Sequence, residues 1–507
     1  MALPNNLAEA FFQSAARHPE KAAIFWGEQE HNYGSLHADA VRLAATLRGD
    51  LGVKPGDRVG LWLKNCPEFV PALYAIFEAG AVAVPINNFL KPAEIHHILA
   101  DAGIAIILTD AELGAHAAEL LATRPGLRFW HDEQFTALRE AAPSPASPGE
   151  PASTRDDLAV IIYTSGTTGH PKGAMLTHGN LLHNVESCRV VLAAVDHDRF
   201  AVLLPMFHSF MLTVGILLPL TVGGSMLLIR SLQTPKSIIQ EIYLRQATIL
   251  PAVPSFFRTL AAAHAQLPPD WPLRLCISGG AALPAEVHRE FNRTMPMHLI
   301  EGYGLSEASP VVSMNPIDGT GKEGSIGKPV CNVEISVQDE QGNHLPHGVT
   351  GEICVRGGNV MRGYWNQPAA TAAALRGEWL LTGDVGHSDP DGYYFITDRK
   401  KDMLIVNGIN VYPREIEEVL YHIPGVKEAA VIGVPDARRG EHPVAFIATA
   451  DGSLLDERQI LQMIKEKLAD YKVPKKIHFI AALPRNATGK VLKTALRQQE
   501  RAVVSDR

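Results

Sequence analysis

The sequence predicts a layered α/β protein of more than one domain, closing on a smaller α+β unit. Three observations carry this. Up to about residue 155, short apolar runs alternate with stretches of helical period, the pattern of strands feeding helices onto largely parallel sheets. At 507 residues the chain is too long for one hydrophobic core. Past residue 402 the pattern changes: residues 403–406 and 429–434 read as strands, and 413–422 and 456–469 as helices.

Composition narrows the class. A hydrophobic content of 46% and a charged content of 20% describe an ordinary globular enzyme. A formal charge of −8 argues against nucleic acid as a partner, which would call for a basic excess. Cys66, Cys188, Cys276, Cys331 and Cys354 are scattered, with no CxxC pairing, and are expected as buried free thiols in a reducing compartment. The first twenty residues lack a basic segment followed by an apolar one, so no signal peptide is expected and the location is cytoplasmic. The longest apolar stretch, 210–229, is broken by Thr213, Pro219, Thr221 and three glycines, and reads as a buried helix and strand rather than a membrane span.

In chain order, residues 58–63 and 104–108 are strand-like, and 67–79 and 92–100 have helical period. Residues 143–154, rich in Pro, Ser and Ala, form a surface connection. No internal repeat is present. The apolar, β-branched run 158–162 then reads as a buried strand. It leads into Tyr163-Thr164-Ser165-Gly166-Thr167-Thr168-Gly169-His170-Pro171-Lys172-Gly173. Glycines let this backbone crowd a ligand, hydroxyls and loop N–H groups donate hydrogen bonds, and Lys172 adds a cation. Together these suit a polyphosphate. The run is not a Walker A loop, since Lys172 follows His170-Pro171 and precedes Gly173.

This run resembles the phosphate loop of the adenylate-forming (ANL) superfamily, which includes acyl- and aryl-CoA synthetases, peptide-synthetase adenylation domains and firefly luciferase. Further matches cover nearly the whole chain. The resemblance implies that Thr164, Ser165, Gly166, Thr167, Thr168, Gly169 and Lys172 hold ATP phosphates. His208, in Pro205-Met206-Phe207-His208-Ser209-Phe210, matches a position flanking the carboxylate pocket, and Phe207 and Phe210 would line that pocket. Residues 273–277 read as a strand ending in Ser278-Gly279-Gly280-Ala281-Ala282, whose small residues admit a flat ring or acyl chain; relatives touch adenine and the acyl group there.

Glu301-Gly302-Tyr303-Gly304-Leu305-Ser306-Glu307 resembles the superfamily's YGxTE signature, with Ser306 in place of Thr. Ser306 keeps the hydroxyl for an α-phosphate contact. Tyr303 would stack on adenine, and Glu307 would hold Mg²⁺ with Thr164 as the second contributor. Asp384, followed by the turn signal Asp389-Pro390-Asp391-Gly392, matches the carboxylate that accepts both ribose hydroxyls. Arg399 matches a ribose-contacting arginine, and Lys401 the hinge residue. Asn407-Gly408-Ile409-Asn410-Val411-Tyr412-Pro413 resembles the loop beside which pantetheine passes, and Lys490, in Leu483-Pro484-Arg485-Asn486-Ala487-Thr488-Gly489-Lys490, matches the catalytic lysine.

The implied organisation is an adenylation domain over 1–398, a hinge over 399–402 and a mobile domain over 403–507 carrying Lys490. The implied reaction joins a carboxylic acid to ATP, releases pyrophosphate, and passes the acyl group from AMP to coenzyme A. The segments 205–210 and 302–311 look most like those of bacterial fatty-acyl-CoA synthetases, so a medium- or long-chain fatty acid is the expected substrate. An aryl acid is the runner-up. No Asp stands where an α-amino group would be caught, and no carrier domain follows Arg507, which weakens an amino-acid substrate. An acyl-ACP synthetase differs only in its thiol, and a luciferase-like oxygenase would share the adenylation motifs. A lipid substrate also makes peripheral membrane contact an expectation, and a homodimer is allowed.

Overall fold

A computed structural model describes residues 4–140, 153–164, 171–230, 234–268, 270–436, 438–450, 455–485 and 490–505. Most of the Pro-Ser-Ala connection, residues 165–170 of the glycine-rich run and 486–489 before Lys490 lie outside them.

Two large sheets dominate the first 330 residues. A seven-stranded sheet runs Gly363–Tyr364, Lys172–Thr177, Leu158–Thr164, Val82–Pro85, Arg58–Trp62, Ile106–Thr109, Arg128–His131. Its pairings from Leu158–Thr164 to Arg128–His131 are parallel, and the first two, from Gly363–Tyr364 through Lys172–Thr177 to Leu158–Thr164, are antiparallel. A nine-stranded sheet has a parallel centre that includes Arg199–Val202, Ile249–Ala252, Leu275–Ser278 and His298–Gly304. Helices fill the space between. The helix Phe69–Glu78 is buried at every position, as expected of a helix that is apolar all round. One core joins both sheets, taking Leu61 and Val160 from the first, Ile24 and Ile277 from the second, and Phe11, Leu43, Leu73 and Val185 from four helices.

The expected strands and helices of this region are present, with shifts of a few residues at their ends. The apolar stretch 210–229 is buried, as expected, but opens with a π-helix, Met211–Leu217, before the helix Leu218–Val222 and the strand Ser225–Leu228. No helix among the described residues is long and apolar enough to cross a membrane.

After residue 330, beyond the segment for which largely parallel sheets are expected, the pairing turns antiparallel. Val333–Gln338, Gly351–Gly357, Trp379–Ser388, Leu375–Arg376 and Tyr394–Arg399 form an antiparallel sheet. Leu375–Arg376, Trp379–Ser388 and Tyr394–Arg399 follow one another through short turns, which permit only antiparallel pairing. Beyond it, residues 404–496 build a mixed sheet with its own cores, one around Val411, Ile416, Val431, Ile460 and Ile477 and another around Ile432, Val444, Phe446 and Leu496.

Two smaller expectations need correction. All five thiols are free, but Cys331 is exposed and Cys66 half-buried rather than buried. The 407–413 segment is not a loop throughout: Leu404–Val406 and Ile409–Val411 form a hairpin turned by Asn407 (φ 52°) and Gly408 (φ 78°). Asn-Gly with both residues at positive φ is the two-residue turn that matches the twist of paired strands.

Candidate active site

The site forms at the C-terminal ends of Leu158–Thr164, Leu275–Ser278 and His298–Gly304, where open α/β sheets leave a crevice for ligands. Thr164 closes the first strand, and Lys172, expected in the loop, opens the returning strand directly opposite it. Pairing of these two residues draws together the ends of the glycine-rich run. Its Ser165, Gly166, Thr167, Thr168 and Gly169 lie outside the described residues.

Thr164 and Glu307 meet. Thr164 Oγ1 donates to Glu307 Oε1 at 3.4 Å, and the Tyr364 hydroxyl donates to the same oxygen at 2.9 Å. Tyr364 arrives through the edge strand Gly363–Tyr364, and Lys172 Nζ lies 5.3 Å from its ring centroid. No cluster of three or more His, Cys, Asp or Glu suited to a metal exists among the described residues. A carboxylate and a hydroxyl side by side are a hard oxygen donor pair, which fits Mg²⁺ that draws its other ligands from phosphate and water.

Asp384 is 4% exposed. Tyr303 donates its hydroxyl to Asp384 Oδ2 at 2.6 Å, and Arg399 Nε lies 3.1 Å from Oδ1. Asp384 and Arg399 face each other across adjacent antiparallel strands. Burial, and then the Asp384 charge, hold the Tyr303 phenol well above its ordinary range. A Cβ on Gly304 would fall 2.1 Å from the Pro310 carbonyl oxygen, so only glycine fits there. Ser306 Oγ is 3.0 Å from Ser209 Oγ, which ties this motif to the segment 205–210.

Phe207 and Phe210 are 7% and 8% exposed. A Cβ on Gly279 would sit 3.1 Å from the Phe210 ring, and one on Gly302 would sit 3.3 Å from Met314 Cε. Gly280 takes φ 77°, with Ala281 half-buried and Ala282 exposed beyond it. The turn is held by Leu283 N donating to Glu301 Oε1 at 3.0 Å. Burial pushes the His208 imidazole down to about 4, and the Lys490 charge adds to this. His208 is therefore neutral near pH 7.

Lys490, from the far end of the chain, joins this group. Burial pushes its ammonium down to about 8, the Arg399 and Lys401 charges reinforce that, and Asp384 and Asp402 oppose it. Lys401 lies in the turn after Tyr394–Arg399. Gly408 is on its separate hairpin, where a Cβ would meet nothing within 4 Å, so positive φ accounts for this glycine in the present arrangement.

The profile of AMP-binding enzymes matches residues 11–365, and that of the AMP-binding enzyme C-terminal domain matches 415–490. The chain belongs to the AMP-binding enzyme family. A long-chain-fatty-acid–CoA ligase of Bacillus subtilis is 35% identical, the match covering 98% of this chain and 95% of that one. A feruloyl-CoA synthase of Amycolatopsis is 38% identical, covering 95% and 96%. ATP-bound MatB from Rhodopseudomonas palustris superposes with a TM-score of 0.91 at 34% identity, covering 99% and 100%; the apo form of the same protein gives 0.79. This AMP-binding enzyme is thus an AMP-forming acyl-CoA synthetase of the adenylate-forming superfamily, with a site for ATP.

Three residues of the synthetase's site escaped the sequence reading. Ser209 and Glu301 stood inside recognised motifs, but their partners Ser306 and Leu283 are elsewhere in the chain. Tyr364 lies 57 residues from Glu307, with no local pattern to mark it.

Proposed function

We propose that this synthetase activates a medium- or long-chain fatty acid and transfers it to coenzyme A. The observation that carries the reading is that the Lys490 ammonium feels the charges of Asp384 and Arg399, proposed for the nucleotide side, while His208, proposed for the acid side, feels the charge of Lys490. A carboxylate oxygen of the acid attacks the α-phosphorus of ATP, and pyrophosphate leaves. A thiol sulfur then attacks the acyl carbon, and AMP leaves. The first step needs positioning and charge neutralisation rather than covalent help from the protein. Lys490 bridges the attacking carboxylate and the α-phosphate, the contact that gains strength as charge shifts. Asp384 and Arg399 fix the ribose, Tyr303 packs on adenine, and the Ser306 hydroxyl reaches the α-phosphate. His208, neutral at pH 7, orients the acid without adding a second cation beside Lys490. Mg²⁺, held by Glu307 and Thr164, would offset charge on the phosphates.

The two steps need different neighbours for the same acyl carbon. The small unit over 403–507 supplies both, Lys490 for adenylation and the Gly408 turn for the thiol, by rotating about Lys401 within the hinge 399–402. Separate cores on the two sides of this hinge support the division. The higher TM-score to ATP-bound than to apo MatB supports an adenylating pose here.

An aryl acid is the second reading, favoured by the 38% identity to a feruloyl-CoA synthase and by the aromatic lining of Phe207 and Phe210. AMP release measured with coenzyme A over a panel of fatty and aryl acids tests both. Turnover of ferulate or benzoate in preference to octanoate and palmitate would replace the fatty-acid reading. Turnover with acyl carrier protein but not coenzyme A would replace the thiol. A lipid acid drawn from a bilayer would bring the peripheral membrane contact and homodimer into play, to be read by vesicle cosedimentation and ultracentrifugation.

A further inference from the structure

Phe89 is 65% exposed, an uncommon state for a phenylalanine. Its backbone is nevertheless held in place. Phe89 N donates to Asn87 Oδ1 at 3.0 Å, Leu90 N to Asn87 O at 3.2 Å, and Asn88 Nδ2 to Leu63 O at 2.9 Å. The helix Pro92–Asp101 begins three residues later. The turn follows the strand Val82–Pro85, on the same edge of the sheet as the end of Leu158–Thr164.

The exposed ring stands against the acid side of the site. Its centroid is 6.3 Å from that of Phe207, at 66°, an edge-to-face arrangement. Phe207 is held in turn. Asn65 Nδ2 donates to Leu204 O at 2.9 Å, and Met206 N donates to Asn65 Oδ1 at 2.9 Å, so the loop after Arg58–Trp62 clamps the approach to Phe207. Phe210, three residues on, packs on Gly279. The acid side therefore presents aromatic surface inside, at Phe210 and Phe207, and one more ring on a fixed turn outside.

We propose that Phe89 is the outer wall of the acyl channel and a specificity-determining residue for the length of the acid's tail. This rests on the fatty-acid reading of the site. The occupant is the distal part of the acyl chain, because the ring's aromatic contact is Phe207 and because an apolar tail that outgrows the buried pocket meets Phe89 next. A tail that ends at Phe207 gains nothing from Phe89, whereas a longer one buries the ring's free face.

The test compares kcat/KM of wild type, Phe89→Ala and Phe89→Leu with butyrate, octanoate and palmitate, the last delivered on albumin as a monomer. The exposed position makes loss of folding avoidable, and a thermal melt checks this. Phe89→Ala lowers kcat/KM for palmitate about tenfold, the scale of apolar discrimination in a pocket. It leaves butyrate and the KM for ATP within twofold, and Phe89→Leu recovers part of the loss. Equal effects on all three acids, or none, would overturn the proposal. So would a loss seen only with palmitate in phosphatidylglycerol vesicles, which would make Phe89 a membrane contact instead. Binding of a pyrene-labelled fatty acid without ATP or coenzyme A gives the same comparison independently of turnover. If the wild type prefers aryl acids, the fatty-acid reading fails by itself, and Phe89 is then judged on ferulate against benzoate: no difference between them in Phe89→Ala overturns it.

Discussion

Tyr303 and Asp384, 81 residues apart, are joined by a hydrogen bond of 2.6 Å, and Arg399 closes on the other carboxylate oxygen of Asp384. The residues proposed for adenine and ribose thus form one bonded unit around the buried Asp384. Asp384→Ala leaves Arg399 without its carboxylate and Tyr303 without its acceptor. It is expected to raise the KM for ATP at least tenfold and to lower the melting temperature, since the Tyr303 hydroxyl loses its acceptor and Arg399 its ion-pair partner. Tyr303→Phe keeps the ring and should shift the KM for ATP by a few-fold at most. Equal effects of the two substitutions would contradict this division of roles.

Lys490→Ala should cut pyrophosphate exchange by about 10²–10³ while the protein stays folded. The ammonium, pushed down to about 8, loses its proton as pH rises through that value. Adenylation at subsaturating ATP should therefore fall above about pH 8. Lys490→Arg stays charged throughout, so whatever activity it retains should lack that limb. A pH profile with the same alkaline limb in Lys490→Arg would assign the limb to another group.

Glu301 is a buried carboxyl pushed up to about 7 by burial, partly offset by Arg414 of the C-terminal region and the Leu283 amide, with Glu418 raising it further. In the folded chain it holds its proton from its ordinary 4.5 up to about 7, where the unfolded chain has released it. Its ionisation thus costs stability as pH rises through that window, and the full cost is present above about 7. Glu301→Gln keeps an acceptor for Leu283 N and removes the ionisation. Its melting temperature should match wild type near pH 4.5 and exceed it above pH 7. A difference independent of pH would show that the carboxyl does not titrate in this range.

The hairpin at Gly408 separates two reasons for a glycine. A Cβ there meets nothing within 4 Å, yet φ is 78°. Asparagine tolerates this conformation, so Gly408→Asn keeps the turn and adds only bulk. In the two-pose mechanism it spares pyrophosphate exchange and lowers acyl-CoA formation at least tenfold. Lys401→Pro, which fixes φ at the proposed pivot, should likewise keep the first half-reaction and lose the second. Parallel loss of both half-reactions in either variant would refute rotation about this point.

The sequence by itself determined the local machinery. A strand, a glycine-rich run, the 302–307 motif, Asp384 before its turn and the late Lys490 are each legible within a dozen residues, because their chemistry needs particular side chains on particular short backbone shapes. The Asn407-Gly408 pair is equally legible, as the two-residue turn signal of a hairpin. What tertiary structure decided is which pieces meet. Tyr364 reaches Glu307 because an edge strand pairs with Lys172–Thr177. Ser209 meets Ser306 across 97 residues, and Phe89 meets Phe207 across a seam between sheets. The approach of Lys490 to His208 is of the same kind. Such contacts join segments far apart in the chain, and no local period or propensity encodes a neighbour that only packing brings within reach.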